Sequence, residues 1–263
     1  MPHAFVNGIN LKYQIDGPSD GTPILLSNSL ASNLKMWDLQ IEPLETEGFM
    51  IVRYDSRGHG QSDAPKGAYS IEMLADDAAS LIDYLKIGSV HFCGLSKGGM
   101  VGQMMGMRHA DKVKSLTIAD SAAHMPAKDV WEQRIATVRE DGMEAVVDGT
   151  IDRWFTHLGQ QRIPDEVEKV REMILSTPAS GFISCGQAIM AMDMRPTNPK
   201  ISKPTLVLCG EEDKGTTPEQ AKEIADGISG AVLELIPNAA HLANIEQPEA
   251  FTSSLLKHVT EHR

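Results

Sequence analysis

Short apolar runs alternate with helical patterns along the first half of the chain. Compact apolar runs predict four buried β-strands, at residues 23–26, 49–54, 89–93 and 115–119. Residues 71–85 instead place apolar side chains three and four positions apart, as an amphipathic helix requires. Strands that are separated by helices favour parallel pairing with right-handed crossovers. The pattern therefore predicts a mostly parallel, doubly wound α/β sheet.

The two ends of the chain extend this predicted sheet. Near the start, Asn7-Gly8 stands between two segments of alternating polarity within residues 4–13, which is a strong signal for a β-hairpin. We therefore expect the sheet to begin with an antiparallel pair. Strand patterns return late in the chain, at residues 204–210 and 231–236.

The middle of the chain lacks strand patterns. Helical patterns at residues 131–156 and 164–176 occupy this region instead. Because the sheet is incomplete without the strands that follow, the middle is better interpreted as an inserted cap than as a separate domain. We therefore divide the chain into a core of residues 1–125 and 199–263 and a helical cap, or lid, of residues 126–198.

Composition excludes several classes of protein. The 263 residues suit one substantial domain with an inserted lid. A formal charge of −12 argues against nucleic acid as a partner, because neutralising phosphates requires clustered basic side chains. Three cysteines are too few and too scattered for a disulfide framework or a zinc site. With neither a signal peptide nor an apolar run of about 20 residues, we expect a cytoplasmic enzyme without a membrane partner.

Residues 94–98, Gly-Leu-Ser-Lys-Gly, fit the pattern G-x-S-x-G in the setting that this pattern needs. A predicted strand precedes them, and a helical stretch at residues 99–107 follows. The glycines allow the strand and helix backbones to approach closely and expose the serine on a strained turn. The start of a helix also favours a developing negative charge. We predict that Ser96 is a catalytic nucleophile, the alternative being a merely tight turn.

A nucleophilic serine needs a base and an orienting acid, which follow it in this chain order in such folds. Asp213 and His241 each lie in a loop after a predicted strand, at the edge where open α/β sheets keep their sites. His241 would take the serine proton, and Asp213 would fix the imidazole tautomer and stabilise the imidazolium.

Other residues compete for these two roles. His59 lies upstream of the serine and His91 lies inside a predicted strand, so neither suits the base. Asp120 follows the strand before the cap and is the more serious rival of Asp213 for the acid.

Acyl transfer also requires donors for the oxyanion, usually backbone N–H groups. One should be the amide of Lys97, directly after the serine. The second should come from the loop at residues 27–32, and the Leu30 amide is the best candidate. The alternative for this loop is an ordinary turn rich in serine and asparagine.

Six stretches carry a resemblance to a known family. They are Leu26-Ser27-Asn28-Ser29-Leu30, Met36-Trp37-Asp38, the segment from Arg53 to Ser62, Ala64-Pro65-Lys66-Gly67, Phe92-Cys93-Gly94-Leu95-Ser96 and, in the predicted cap, Arg153-Trp154-Phe155. With these stretches the chain resembles the α/β-hydrolase fold family and, more narrowly, the 3-oxoadipate enol-lactonases of the β-ketoadipate pathway. The Asp-Ser-Arg-Gly-His-Gly loop is common to many α/β-hydrolases and supports the fold only.

The resemblance implies an activity and a site. The family's catalytic triad falls on Ser96, Asp213 and His241, the residues that chain order also selects. The implied reaction opens a carboxylated enol-lactone to an oxo-acid through an acyl-enzyme. It implies no organic cofactor and no metal, and no motif for either is present.

Lys97 departs from the family's pattern, since an uncharged residue such as methionine is expected after the nucleophile. Its stem can pack while its ammonium reaches solvent. Alternatively, the ammonium meets an anionic group of the substrate. The departure also weakens the assignment of the substrate.

An anionic substrate requires a local cation in so acidic a chain. The candidates are Arg134, Arg153, Arg195 and Lys97, and we favour Arg134 because it follows Trp131 on a predicted cap helix. The planar guanidinium of arginine suits both oxygens of a carboxylate. The remaining candidates for substrate contact are Trp131 and Trp154, as pocket walls or as cap packing, and Asn28 in the predicted oxyanion loop.

Other functions remain open on the same scaffold. The first is a carboxylesterase, or another serine hydrolase that cleaves lactones or C–C bonds; a non-catalytic ligand receptor is a further possibility. Haloalkane dehalogenases and epoxide hydrolases place aspartate where this chain has Ser96. The sequence indicates a small-molecule lactone or ester as partner and does not indicate an oligomeric state.

Overall fold

Eight strands form one sheet in the computed structural model, which describes residues 2–263. The strands are β1 (His3–Val6), β2 (Ile9–Asp16), β3 (Thr22–Ser27), β4 (Phe49–Tyr54), β5 (Val90–Leu95), β6 (Val113–Ala119), β7 (Thr205–Gly210) and β8 (Val232–Ile236). Their order is β1-β2-β4-β3-β5-β6-β7-β8. The pairs β1–β2 and β2–β4 are antiparallel, and all other pairs are parallel. The predicted mostly parallel sheet, with an antiparallel start, is confirmed.

Helices connect these strands and cover the sheet. They are α1 (Asp38–Thr46), α2 (Ile71–Leu85), α3 (Lys97–Arg108), α4 (Lys128–Asp141), α5 (Glu144–Trp154), α6 (His157–Arg162), α7 (Pro164–Ser176), α8 (Ala179–Ala191), α9 (Pro218–Gly227), α10 (Ala243–Glu246) and α11 (Pro248–Glu261). Helix α2 packs on α3, whereas α1 packs on α11 and α10. The sheet is therefore wound on both faces, and its core strands are buried throughout their length.

The first hairpin forms where the sequence predicts it. Asn7 and Gly8 both have positive φ angles, 45° and 78°, and Val6 pairs with Ile9 across the turn. A two-residue turn of this kind matches the right-handed twist of paired strands, and asparagine and glycine tolerate it best.

The chain changes direction across the sheet next to β3. Because β3 pairs with β4 on one side and with β5 on the other, the loops after β3 and β5 leave the same edge side by side. Open α/β sheets bind ligands in the crevice at such a switch point, outside the carboxyl ends of the strands. The loop of Leu30 and the turn of Ser96 are therefore neighbours although they are far apart in the chain.

Five helices, α4 to α8, lie between β6 and β7. The chain leaves the core and returns to it at one place, since His124 forms an antiparallel bridge with Asp193 and the Met194 N–H donates to the Ala123 carbonyl at 2.7 Å. The insertion is therefore anchored at its base by backbone pairing.

The prediction of a single helix over residues 131–156 is wrong. The chain breaks at Gly142, which has a φ of 81° and ends α4, and a second helix begins at Glu144. With a ψ of −174°, this conformation is essentially restricted to glycine, so the residue type allows the break. The apolar spacing continues across the break because both helices bury a face in the same cap core.

The structure bears on two expectations from composition, those about the cysteines and about membrane-spanning helices. Cys93, Cys185 and Cys209 are buried free thiols, so none of them forms a disulfide. Within residues 2–263, no helix combines the length and the apolar character that crossing a bilayer demands.

Replacing Gly98 with alanine should destabilise the fold strongly. The added Cβ would lie 2.0 Å from the Ser27 carbonyl oxygen, and relief would require moving β3 or α3 as a whole. We expect the free energy of unfolding, measured by urea denaturation, to fall by about 3 kcal/mol or more.

Gly149→Ala is the matched control for this substitution. Its Cβ on α5 would meet only Arg153 Nη1, at an ordinary 3.5 Å. Because alanine favours helices over glycine, the variant should keep its stability or gain up to about 1 kcal/mol. Similar losses in both variants would show that the close approach at Gly98 is not the cause.

Candidate active site

Ser96 occupies a strained turn between β5 and α3. Its φ is 57° and its ψ is −114°, a combination that a residue with a side chain rarely adopts. Two neighbouring glycines allow it: a Cβ on Gly94 would lie 2.0 Å from the Gly98 carbonyl oxygen, and one on Gly98 would meet Ser27. The predicted close approach of strand and helix is present.

Backbone hydrogen bonds hold the turn from the neighbouring strand. The Ser96 N–H donates to the Ala119 carbonyl at 2.8 Å, and the Ser121 hydroxyl donates to the Ser96 carbonyl at 2.8 Å. Both partners lie at the end of β6. The serine is therefore fixed by the sheet and not by contacts within its own loop.

His241 and Asp213 form a hydrogen-bonded pair beside this turn. The Nδ1–H of His241 donates to Asp213 Oδ2 at 2.8 Å, and both side chains are buried. Burial alone would raise the pKa of Asp213, but the charge and hydrogen bond of His241, with hydrogen bonds from Thr216, lower it below its ordinary value. The carboxylate is therefore ionised and orients the ring so that Nε2 is free to accept a proton.

Thr216 is a contact that the sequence analysis missed. Its N–H donates to Asp213 Oδ1 at 3.0 Å and its hydroxyl donates to Oδ2 at 2.8 Å, while the Gly215 N–H donates to Oδ1 at 2.7 Å. An aspartate that accepts hydrogen bonds from residues two and three positions onward is typical of a tight turn. The spacing from Asp213 to Thr216 was therefore an available signal.

Glu246 is a second missed residue and links the loop of His241 to the cap. Its carboxylate accepts the Ala240 N–H at 2.9 Å and the Thr156 N–H at 3.1 Å, together with a short hydrogen bond from the Thr156 hydroxyl. Trp154, just before that threonine, lies with its ring centroid 5.9 Å from the His241 ring. The cap therefore helps to position the histidine.

Asp120 is close to this pair but does not contact the histidine. Its Oδ1 accepts the Gly210 N–H at 2.8 Å, and its Oδ2 has no partner within residues 2–263. Burial and the neighbouring charge of Asp213 hold the pKa of Asp120 well above its ordinary value. A carboxyl in this state suits the interior better as the neutral acid.

The competing histidines have other partners. His59 Nε2 accepts the Ala31 N–H at 3.0 Å and its Nδ1 lies 3.1 Å from the Arg57 carbonyl oxygen. His91 is buried on β5 and its Nδ1 lies 2.8 Å from the Ser115 hydroxyl. Neither ring lines the cavity beside Ser96.

A narrow cavity opens above the serine between core and cap. It has about 490 Å³ of space between its wall atoms, part of it open to solvent. Its wall is formed by residues of both the core and the cap: Ser29, Leu30, Ala31, Ser96, Met100, Met125, Trp131, Arg134, Arg153, Trp154, Phe182, Ile189, Gly215, Thr216 and His241. Ser96 and His241 both line this wall, and no direct hydrogen bond joins them. In many enzymes such a hydrogen bond forms or shortens only when substrate binds.

The two predicted oxyanion donors have N–H groups without acceptors in the described part of the chain. The Leu30 N–H has no protein acceptor in the described part of the chain, and Leu30 lines the cavity. Lys97 is the first residue of α3, a position whose N–H has no partner within a helix. Two free amides therefore flank the serine.

The ammonium of Lys97 does not reach the cavity, and neither alternative that the sequence left open is correct. The side chain is buried and its Nζ makes a short hydrogen bond to the Ser56 hydroxyl. Burial lowers the pKa of Lys97, and the charges of Cys185, Asp77 and Asp55 oppose that shift. Because α3 starts against loop 55–60, the stem has no route to solvent or to the substrate side.

Arg134 does lie in the cavity wall. Its guanidinium carbon lies 4.6 Å from the Trp131 ring centroid and 5.7 Å from the Phe182 centroid. Burial and then the charge of Arg153 lower the pKa of Arg134 to about 9, so it remains charged at neutral pH. Across residues 2–263, no carboxylate pairs with it, and its Nε has no acceptor. The guanidinium is half-buried, and a cation that has lost part of its solvent without gaining a partner is costly unless a ligand supplies the anion.

The other candidate cations differ in position. Arg153 lines the cavity and donates to the Thr150 hydroxyl at 3.2 Å. Arg195 is exposed and pairs with Asp193 at 2.7 Å, away from the cavity. Trp131 and Trp154 both lie in the wall, as the sequence analysis allowed.

Asn28 does not line the cavity, contrary to the prediction. Its side chain is fully buried behind the loop, and both of its amide atoms lack a partner among the described residues. The backbone at Ser27 and Asn28 runs directly against Gly98, so this side chain turns inward and Ser29 takes its place in the wall.

One cluster within residues 2–263 could bring three side chains to a metal ion: Asp120, Cys209 and Asp213. The oxygens of Asp213 already accept hydrogen bonds from His241 and Thr216. Burial raises the pKa values of Asp120 and Cys209, which keeps their protons in place. The donor set does not suit a metal, because metal ligands must be deprotonated.

The arrangement has the parts that acyl transfer to serine requires: a hydroxyl in a cavity wall, an oriented imidazole, a carboxylate and two amides without protein partners. The family described as alpha/beta hydrolase fold matches residues 22–248. The chain belongs to the α/β hydrolase fold family, and the protein is a hydrolase.

Within this family, the chain is similar to enol-lactonases and to an esterase. The chain is 35% identical over 247 residues to 3-oxoadipate enol-lactonase 2 of Acinetobacter baylyi, covering 94% of this chain and 92% of that one. It is 41% identical to the enol-lactonase of Burkholderia xenovorans LB400, whose crystal structure covers 98% of this chain and 100% of that chain with a TM-score of 0.96. A thermophilic esterase from Thermogutta terrifontis, with malate bound, is 30% identical over the full length of both chains, with a TM-score of 0.93.

Replacing each of the two acids, Asp213 and Asp120, with asparagine should show which one orients the histidine. Asp213→Asn removes the anion that faces His241 and should lower kcat by about 10⁴-fold. Asp120→Asn should change kcat by less than about tenfold, because no hydrogen bond joins Asp120 to the histidine. Steady-state kinetics on a simple ester measures both effects, and the reverse ranking would assign the orienting acid to Asp120.

The stability of Asp120→Asn should depend on pH. Because the folded state raises the pKa of Asp120 above the ordinary 3.8, this group's contribution is complete below the unfolded pKa and is lost as pH rises through the folded pKa. Asparagine does not ionise, so Tm of the variant relative to wild type should increase from about pH 4 to about pH 8. A difference that is constant with pH would show that Asp120 does not titrate in this range.

Proposed function

We propose that this protein is a serine hydrolase that opens a carboxylated enol-lactone, 3-oxoadipate enol-lactone, to 3-oxoadipate. The observation that carries this proposal is the guanidinium of Arg134, which is half-buried in the same cavity wall as Ser96 and His241 and has no carboxylate partner among the described residues. A cavity that holds a nucleophile and an unpaired cation favours a substrate with both an acyl group and an anion.

In the proposed first step, His241 Nε2 takes the proton of Ser96 as Oγ attacks the lactone carbonyl carbon. The amides of Leu30 and Lys97 donate to the oxyanion of the tetrahedral intermediate. When the intermediate collapses, the ring C–O bond breaks, and His241 returns the proton to the leaving enol oxygen. The enol then becomes a ketone, and the acyl group remains on the serine.

In the second step, water hydrolyses the ester bond between Ser96 and the opened substrate. His241 takes a proton from the water as it attacks the acyl carbon, and the same amides hold the second oxyanion. Collapse releases the carboxylic acid and returns the proton to Ser96. Throughout both steps Asp213 keeps Nδ1 protonated and stabilises the imidazolium.

Arg134 supports the substrate class. Its guanidinium can donate two parallel hydrogen bonds to one carboxylate, and Arg153 adds a second positive charge to the same wall. The two enol-lactonase relatives, at 35% and 41% identity, favour the same substrate. In a chain of net charge −12, these arginines supply local attraction that the protein as a whole lacks.

A carboxylesterase is the second candidate. Met100, Met125 and Ile189 give the cavity an apolar side that would accept the acyl or alcohol part of an uncharged ester. The similarity to the Thermogutta terrifontis esterase favours this alternative. Both candidates use the same nucleophile and differ in their need for the cation.

Removing the cation should separate the two functions. Arg134→Met should raise KM for the carboxylated enol-lactone by about 10- to 100-fold, because hydrogen bonds to a charged group are lost. KM for p-nitrophenyl acetate, which has no carboxylate, should change by less than about threefold. Initial rates on both substrates provide the measurement.

Two further variants complete this experiment. Arg195→Met removes an exposed arginine outside the cavity and should change neither KM. Ser96→Ala should lose turnover of both substrates and labelling by a fluorophosphonate probe. Equal effects of Arg134→Met on the two substrates would refute the role of Arg134, and a wild type that prefers the uncharged ester would favour the carboxylesterase.

A further inference from the structure

The two amides of the oxyanion hole belong to different parts of the fold. Leu30 lies in the loop after β3, whereas Lys97 begins α3. An oxyanion hole stabilises the tetrahedral intermediate only when both N–H donors are held within about 0.5 Å of the correct geometry. Some contact must therefore fix the first loop relative to the helix.

His59 fixes the loop of Leu30. Its Nε2 accepts the N–H of Ala31, the next residue, at 3.0 Å, and its Nδ1–H donates to the Arg57 carbonyl at 3.1 Å. Ala31 has a φ of 59°, so the loop adopts a conformation that a residue with a side chain disfavours and that needs an external anchor.

This anchor works only while the His59 ring is neutral. A proton on Nε2 would point at the Ala31 N–H and replace an attraction with a repulsion. Burial, and then the positive charge of Lys97, hold the pKa of His59 well below its ordinary value. The ring therefore remains an acceptor at neutral pH.

Lys97 is tied to the same short segment. Its side chain turns away from the cavity, and its Nζ donates to the hydroxyl of Ser56. The side chain is 1% exposed, so this is an interior contact and not a surface one. One segment, residues 56–59, thus contacts the neighbour of the first amide and the residue that carries the second.

We propose that residues 56–59 act as an oxyanion brace, with His59 holding the loop of Leu30 through Ala31 and Ser56 holding Lys97. The inference rests on the proposed serine acyl transfer but not on the identity of the lactone. Neither the His59 ring nor the Lys97 ammonium lines the cavity, so both are positioning residues. The buried lysine after the nucleophile thereby has a positioning role.

His59→Phe tests the brace by removing the acceptor and keeping an aromatic ring. Losing one oxyanion donor entirely costs about 10²- to 10³-fold in kcat, so displacing one should cost about 10- to 100-fold. KM for p-nitrophenyl acetate should change by less than about threefold, because the cap side of the cavity is untouched. The affinity for an aryl trifluoromethyl ketone, which forms a hemiketal oxyanion on Ser96, should weaken by the same factor as kcat.

Two matched variants separate positioning from folding. His59→Gln restores a carbonyl oxygen near the place of Nε2 and should recover most of the lost kcat. His91→Phe makes the same replacement at a buried histidine on β5 whose partner is Ser115. It should lower stability by a similar amount and leave kcat and ketone affinity within about twofold of wild type.

Lys97→Met tests the second half of the brace, since methionine fills a similar volume and keeps the backbone amide. We expect kcat to fall by about 3- to 10-fold with KM unchanged. In the double variant with His59→Phe, kcat should fall by less than the product of the two single losses, because both residues position the same oxyanion hole.

The results have distinct meanings. A kcat of His59→Phe within twofold of wild type, or equal losses in the Phe and Gln variants of His59, would overturn the brace. A wild type that neither hydrolyses p-nitrophenyl acetate nor forms the ketone adduct would overturn the proposed function and the brace together. Failure of the enol-lactone alone as a substrate would overturn only the substrate assignment.

Discussion

The close packing of two glycines around Ser96 is the constraint on which the rest of the site depends. Gly94 and Gly98 let β5 and α3 meet so closely that a Cβ at either position would lie 2.0 Å from a backbone oxygen. This approach allows the serine backbone a φ of 57°, and the residue lines the cavity between core and cap. The same packing presses α3 against the loop after β3, so it also sets the distance between the two amides that flank the hydroxyl.

The ionisable groups of this site have all lost solvent, wholly or in part, and they differ in charge because their partners differ. Asp213 keeps its negative charge because His241 and Thr216 compensate for its loss of solvent, whereas nearby Asp120 has only backbone donors and favours its neutral form. Two carboxyl groups at one end of the sheet thereby acquire different properties from their partners alone. On the cap side, Arg134 has aromatic neighbours and no carboxylate, which leaves its charge available to a ligand.

Much of the fold and part of the site could be predicted from local pattern. Helix α2 spans the predicted residues 71–85, and the hairpin at Asn7-Gly8 forms as its turn residues require. Chain order and loop position selected Ser96, Asp213 and His241, and the structure brings all three together beside one cavity. These inferences succeed because apolar periodicity and turn chemistry depend on residues that are neighbours in the chain. The break at Gly142 was missed because the apolar spacing continues through it, although the glycine itself was a signal.

The sequence by itself determined the type of sheet, the place of the nucleophile and the class of chemistry, because covalent neighbours dictate each of them. Only the tertiary structure decided where individual side chains point. It turned Lys97 toward Ser56, buried Asn28 behind its loop, and placed Arg134 rather than Arg195 in the cavity wall. It also joined Glu246 to Thr156 and Ala240 across the cap. The direction of a side chain depends on which distant elements pack around it, and those contacts exist only after the sheet and cap have assembled.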